Sequence, residues 1–326
     1  MIERSTLRFE PEMLSDLQLP CLVARGAATG PRLALLAGVH GCEYSSIAAV
    51  VRFMAALDTR QLRGTVTAVP IVNLPSFWAR SPFVVPQDGK NLNRCFPGSY
   101  DGTFSDALAR AVFDELILSS DVLLDLHGGD MVEALEPFAL YDASPVEEPA
   151  RDLAVSFGLP YVVRSAPTDA PISGTTSSAA AAAGVPAVIA EAGGRGLLEE
   201  SAVRLHLDGL VNALRHLEML PGEPVPPRGR MRHANRFLWL RTPAEGWWEA
   251  EVHAGDEVPA ASRVGVVRDL YGDILEEIAA PESGVVLFLT TSPAVGADDL
   301  LLGLGVDLEP IAEPHAGGAS ASRLDG

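Results

Sequence analysis

Leu33-Ala34-Leu35-Leu36-Ala37-Gly38-Val39-His40-Gly41-Cys42-Glu43 is the stretch that decides the fold. Its first half is continuously apolar, and its second half carries an imidazole and a carboxylate among small residues. A continuous run, rather than an alternation, is the pattern of a strand covered on both faces. Two further stretches follow the same plan. Val122-Leu123-Leu124 leads into Asp125-Leu126-His127-Gly128-Gly129, and Val188-Ile189-Ala190 leads into Glu191-Ala192-Gly193-Gly194. Each apolar run ends in a residue able to bind metal or move a proton. His40, Glu43 and His127 make the two-His, one-Glu set of a hydrolytic zinc site with a fourth position open. Glu191 adds a carboxylate that could take a proton from the attacking water. Taken singly, each would read as an ordinary cap at a strand end; together they read as a site.

Working outward, strand patterns alternate with helical ones across residues 30–218. Strands are expected at 32–39, 65–72, 121–126, 136–141, 160–164 and 185–190. Helices are expected at 44–57, 104–119, 147–157, 175–183 and 197–218. This alternation predicts an α/β fold with a mixed, mostly parallel sheet flanked by helices. In such sheets ligands bind beyond the carboxyl ends of the strands, which is where His40, His127 and Glu191 fall.

The composition changes at Pro221-Gly222-Glu223-Pro224-Val225-Pro226-Pro227-Arg228-Gly229, which cannot continue a helix. The expected organisation is a catalytic domain over 1–220, a linker over 221–230, a small all-β module over 231–309 and a loose tail over 310–326. The module's short strand-like pieces include Phe237-Leu238-Trp239-Leu240 and Gly284-Val285-Val286-Leu287-Phe288-Leu289.

The chain has 326 residues, with 24 Lys plus Arg against 43 Asp plus Glu, a formal charge of −19. That balance argues against nucleic acid as a partner, because phosphates demand a basic face. No apolar run reaches the length of a membrane span. No secretory pattern is visible at the N-terminus, and three cysteines make no disulfide framework. A cytoplasmic protein is expected, with a homo-oligomer left open. Cys42 and Cys95 read as packed small residues, and His206, His216, His233, His253 and His315 as structural or surface groups. Asp125, two residues before His127 on one strand face, could orient that imidazole.

These motifs resemble the succinylglutamate desuccinylase/aspartoacylase family of zinc amidohydrolases, in the metallocarboxypeptidase-like superfamily. The likeness covers residues 20–218 and rests on Gly38-Val39-His40-Gly41-Cys42-Glu43, Asn91-Leu92-Asn93-Arg94, Asp125-Leu126-His127 and Glu191-Ala192-Gly193-Gly194, in that order. It implies one Zn²⁺ per chain on His40, Glu43 and His127, with Glu191 as general base. It also implies a small N-acylated substrate whose carboxylate meets Asn93 and Arg94. The planar fork of an arginine matches two carboxylate oxygens. The family usually carries a further arginine in the preceding loop, where it polarises the scissile carbonyl. Here Pro82 stands at that place and Arg80 is the nearby candidate; otherwise zinc and backbone donors would do that work. The β module is similar to lipoyl- and biotinyl-type barrel-sandwich domains. The chain's one lysine is Lys90, far upstream, so the module cannot carry either group. The expected activity is deacylation of a small N-acyl amino acid. A metallocarboxypeptidase and a non-catalytic zinc module are the alternatives.

Overall fold

The computed structural model describes residues 2–166, 173–226 and 229–311. The expected tail lies outside these beyond residue 311, as does part of the proline-rich stretch. Strands in the first two thirds are β1 (Ile2–Leu7), β2 (Leu19–Arg25), β3 (Ala28–Ala37), β4 (Arg63–Val69), β5 (Val122–His127), β6 (Glu133–Leu135), β7 (Phe138–Asp142), β8 (Tyr161–Ser165) and β9 (Ala187–Glu191). The rest are β10 (Arg232–Arg241), β11 (Gly246–Ala250), β12 (Glu257–Val258), β13 (Arg263–Arg268), β14 (Ile274–Ala279), β15 (Gly284–Thr290), β16 (Ala294–Val295) and β17 (Leu300–Pro310). The helices are α1 (Tyr44–Ala56), α2 (Leu74–Ala79), α3 (Phe104–Val112), α4 (Glu147–Phe157), α5 (Thr176–Ala182) and α6 (Glu200–His216).

A mixed sheet of thirteen strands runs β1-β2-β4-β3-β5-β9-β7-β8-β10-β17-β15-β12, with β6 pairing β15. Its centre is parallel: β4, β3, β5 and β9 run side by side in one direction. β7 then pairs with β9 antiparallel. The apolar runs occupy this centre for a physical reason. Leu33, Leu35 and Ala37 pack into one core layer and Ala34 and Leu36 into the other. Successive side chains of a strand point to opposite faces, so only a run without polar breaks suits a strand with helices on both sides. The first layer takes α1, α4 and α6, and the second takes α3 and α5. Truncating one fully buried leucine of β3 to alanine would cost about 2–5 kcal/mol.

Two features were not legible in the sequence. β1 and β2 extend the sheet antiparallel beyond β4. β10 pairs with β8 in parallel register, His233 beside Val162, so the main sheet runs on past the proline-rich stretch. β17, β15 and β12 continue it, while β14-β13-β11-β16 form a separate antiparallel sheet of four strands. Apolar side chains from both parts share one cluster, with Phe138, Leu140 and Ile189 against Phe237, Leu287 and Phe288.

Candidate active site

The end of β3 delivers the first two groups. Gly38 adopts a left-handed φ of 61°, which turns the chain away from the sheet. At Gly41 a Cβ would stand 2.2 Å from the Phe77 amide nitrogen, so α2 can approach only a glycine there. Between these residues His40 is presented, and Glu43 lies just before α1. β5 ends at His127, whose register partner on β9 is Glu191. Neighbouring strands lie about 4.8 Å apart, so these side chains leave one sheet edge together.

His40, Glu43 and His127 converge with all their ligand atoms within 4.8 Å of one another. His40 Nδ1 is 2.7 Å from Glu43 Oε1, and the two imidazole rings stand 5.2 Å apart. The outer nitrogens are tied down. His40 Nε2 bonds Asn91 Oδ1 at 3.0 Å, and His127 Nε2 bonds Asp125 Oδ2 at 3.0 Å. With these acceptors outside, Nε2 carries the proton of each neutral ring and Nδ1 turns a lone pair inward. Two inward lone pairs facing a carboxylate repel unless a cation or protons lie among them. Glu43 Oε2 is buried without a hydrogen bond, although His127 Nδ1 stands only 3.1 Å from it at a poor angle. The donor set therefore fits a divalent metal such as Zn²⁺. The same tension appears in the protonation of the metal-free cluster. Burial works against the imidazolium of His127, but the Asp125 and Glu43 charges outweigh it and hold its pKa well above the ordinary value.

Asp125 thus takes the orienting place expected of it, and its Oδ2 also accepts the Thr176 hydroxyl at 2.5 Å. Asn91 does for His40 what Asp125 does for His127. Nothing in the sequence reading separated Asn91 from Asn93, because both are amides in one short motif. Asn93 is buried, and its Oδ1 accepts the Thr176 amide at 2.9 Å. Cys42 is buried outside the ligand cluster, with its thiol pushed up to about 11 by burial.

The cluster opens into a cavity of about 260 Å³, and Asn93, Arg94 and Glu191 line it too. Glu191 keeps partial exposure, and it lines this cavity. Burial pushes its carboxyl up to about 8; His127 and Arg94 oppose this, while Glu43 and Asp125 reinforce it. Arg94 opens onto the cavity, where its guanidinium is held below its ordinary value by burial. Arg80 is elsewhere: it is exposed at the left-handed end of α2, with φ of 54°, and is not among the residues lining the cavity.

Other lining residues gave no signal in the sequence. Glu133, on β6, stands outside every motif and element expected from the sequence. Phe237, Trp239 and Phe288 come from the last third of the chain. Trp239 Nε1 is buried with no protein partner. Among the charged or ring-bearing groups read as structural, His206 is fully buried behind the site, with Nε2 3.3 Å from the Ala192 carbonyl oxygen.

Two imidazoles and a carboxylate at strand ends, beside a further carboxylate in one cavity, form a cluster able to hold a metal. The chain belongs to the succinylglutamate desuccinylase/aspartoacylase family, a family of deacylases: the model of that family's catalytic domain matches residues 29–217. The N-alpha-acetyl-L-2,4-diaminobutyric acid deacetylase of Halomonas elongata is 31% identical over 255 residues, covering 76% of this chain and 73% of that protein. A succinylglutamate desuccinylase/aspartoacylase structure from Rhodobacter sphaeroides is 25% identical, covers 94% of each chain and superposes with a TM-score of 0.79. The product-bound ectoine utilization protein EutE (DoeB) of Ruegeria pomeroyi shares the fold, with a TM-score of 0.81 at 24% identity over 94% of this chain and 95% of that one. No helix among the described residues is long and apolar enough to cross a membrane.

Proposed function

We propose that this protein is a zinc-dependent deacylase that hydrolyses the amide bond of a small N-acyl amino acid. The observation that carries the reading is the inward-facing His40–Glu43–His127 cluster, placed in register with Glu191 at one end of the cavity. Zn²⁺ held there would polarise the scissile carbonyl and lower the pKa of the attacking water. Glu191 takes the proton from that water and hands it to the leaving amine. A carboxyl raised by burial toward neutrality is suited to both halves of that transfer. Arg94 anchors the substrate carboxylate, and Asn93 assists it: its Oδ1 is engaged by Thr176, and its side-chain nitrogen has no protein partner among the described residues. With Arg80 away from the cavity wall, a bound metal would supply the polarisation of the carbonyl.

The cavity's modest volume of about 260 Å³ favours a small acylated molecule over a peptide C-terminus. Residues 1–220 supply the catalytic groups in this reading. Residues 231–309 act as the module that narrows the cleft, through Phe237, Trp239 and Phe288. The three cysteines are free, which suits the cytoplasm. The test is zinc analysis of the purified protein, followed by amine release from N-acetyl, N-succinyl and N-formyl amino acids. Glu191→Gln should keep the metal while turnover falls at least ~10²-fold. Loss of the metal in that variant would make Glu191 a ligand and overturn the assignment.

A further inference from the structure

Phe83 holds a backbone conformation that its side chain disfavours. Its φ of 60° lies in the left-handed region, and the Val84 amide donates back to the Pro82 carbonyl at 2.7 Å. A three-residue turn with a positive φ at its centre is the strained form of the γ-turn. Glycine adopts it freely and phenylalanine does not. Such an outlier persists where its surroundings over-determine it. Here the holding group is Asp130. Its side chain is fully buried, and Oδ2 accepts the Phe83 amide at 2.7 Å while Oδ1 accepts the Met131 amide at 2.5 Å. Asp130 is itself fixed through both of its backbone groups. Its amide donates to Glu133 Oε2 at 3.0 Å, and its carbonyl accepts the Glu133 amide at 3.0 Å.

The held residue leads directly to the metal cluster. Phe83 lines the cavity, with its ring edge-on to the His40 imidazole, the centroids 6.0 Å and the planes 81° apart. Beyond it the chain makes a short excursion and returns. Val84 bridges Asn91 in antiparallel register, and the Val85 amide donates to the Lys90 carbonyl at 2.9 Å. Asn91 Oδ1 is the group that meets His40 Nε2. Residue 83 is therefore where the loop that orients His40 is fastened. Asp130, three residues after His127, is the fastening. One carboxylate ties the segment that orients one imidazole to the segment that carries the other.

Resting on the metal half of the reading above, we propose that Asp130 is a positioning residue for the metal site: by holding Phe83 left-handed it sets the 84–91 loop, so that Asn91 directs His40 Nδ1 inward. The Asp130 carboxylate bonds the amides of Phe83 and Met131 rather than a ligand side chain, so its effect passes through the loop. A direct action of its charge on the cluster is the rival account. The two accounts part at Phe83, because the rival gives the backbone there no role.

The variants are Asp130→Asn and Phe83→Gly, alone and together. Each is read by zinc competition against a chromophoric chelator and by urea melts of the metal-free protein. Asparagine must turn its NH₂ toward one of the two amide donors, so Asp130→Asn loosens the hold. It should weaken zinc binding roughly 10-fold, the lower end for loss of an orienting partner. Glycine takes a positive φ without help, so Phe83→Gly alone should bind zinc within about threefold of the parent, and the double variant should do the same. A double variant as weak as Asp130→Asn would overturn the clamp in favour of direct charge. An Asp130→Asn variant that melts earlier in urea yet binds zinc like the parent would reduce Asp130 to a stabilising role and overturn the proposal too. Should Asp130→Asn be insoluble, solubility is the readout: recovery in the Phe83→Gly background supports the clamp, and equal insolubility overturns it. A parent protein that binds no zinc would sink the metal reading instead. The urea melts then still decide the clamp: Asp130→Asn should shift the midpoint at most half as far in the Phe83→Gly background, and equal shifts in both backgrounds overturn it.

Discussion

Asp125→Asn tests the reasoning about the metal cluster at its most exposed joint. Asp125 is fully buried, and its Oδ2 accepts two donors, His127 Nε2 at 3.0 Å and the Thr176 hydroxyl at 2.5 Å. That arrangement places the proton of His127 on Nε2 and leaves Nδ1 free to bind metal. Asparagine has nearly the same shape but offers one accepting oxygen and one donating nitrogen. If its NH₂ takes the place of Oδ2, it faces His127 Nε2 and the Thr176 hydroxyl together and favours the wrong tautomer, with a proton on Nδ1. If its oxygen takes that place, both donors keep their acceptor, but the NH₂ is buried without a partner where Oδ1 stood and the charge beside the imidazole is lost. Either way the imidazole is a poorer ligand. Loss of such an orienting partner lowers metal affinity about 10- to 100-fold, or roughly 1.4–2.8 kcal/mol. The assay is competition for zinc between the metal-free variant and a chromophoric chelator at pH 7. Far-ultraviolet circular dichroism confirms that the fold survives. Thr176→Val should weaken zinc less, because the His127–Asp125 bond remains. An Asp125→Asn variant that binds zinc as tightly as the parent would refute the tautomer argument.

Two further outcomes follow from buried groups elsewhere. His206 is held neutral by burial, which pushes its pKa down to about 4 from an ordinary 6.5; its backbone partners oppose this. A lowered histidine contributes stability that is present above pH 6.5 and lost as pH falls toward 4. His206→Gln should therefore flatten the pH dependence of stability in that window by up to roughly 3 kcal/mol. Urea melts at pH 4.5 and 7 read it, and an unchanged difference between the two pH values would exclude His206 as the cause. Ending the chain at Pro224 would uncover Phe138, Leu140, Val163 and Ile189, which pack against β10 and β15. At about 1.5–3 kcal/mol for each large side chain, the loss rivals the whole stability of a domain. The truncated chain should be insoluble or melt without cooperativity, and a soluble fragment with a sharp thermal transition would disprove that dependence.

The particular residues show what a sequence can carry. Leu33 to Ala37, Val122 to Leu124 and Val188 to Ala190 announce two-faced strands because burial on both sides tolerates no polar break. The groups that follow them fall at one sheet edge because parallel strands end on the same side. His40, Glu43, His127 and Glu191 could be found for that reason, and Asp125 could be found because alternate residues of a strand share a face. These are local rules, and they act within one segment at a time.

Contacts between segments distant in sequence were not available to such rules. The proline-rich stretch marks a change in composition, yet β10 lies beside β8 beyond it, because strand pairing depends on edges rather than on neighbours in the chain. Asn91 orients His40 across a loop, Glu133 reaches the cavity only because β15 pairs with β6, and Trp239 joins them from β10. Thus the sequence by itself determined the groups that meet at the end of the cavity and the sheet that carries them. Only the tertiary structure decided what surrounds the substrate, since a cavity wall is made where remote surfaces meet and no period or spacing in one segment encodes the other.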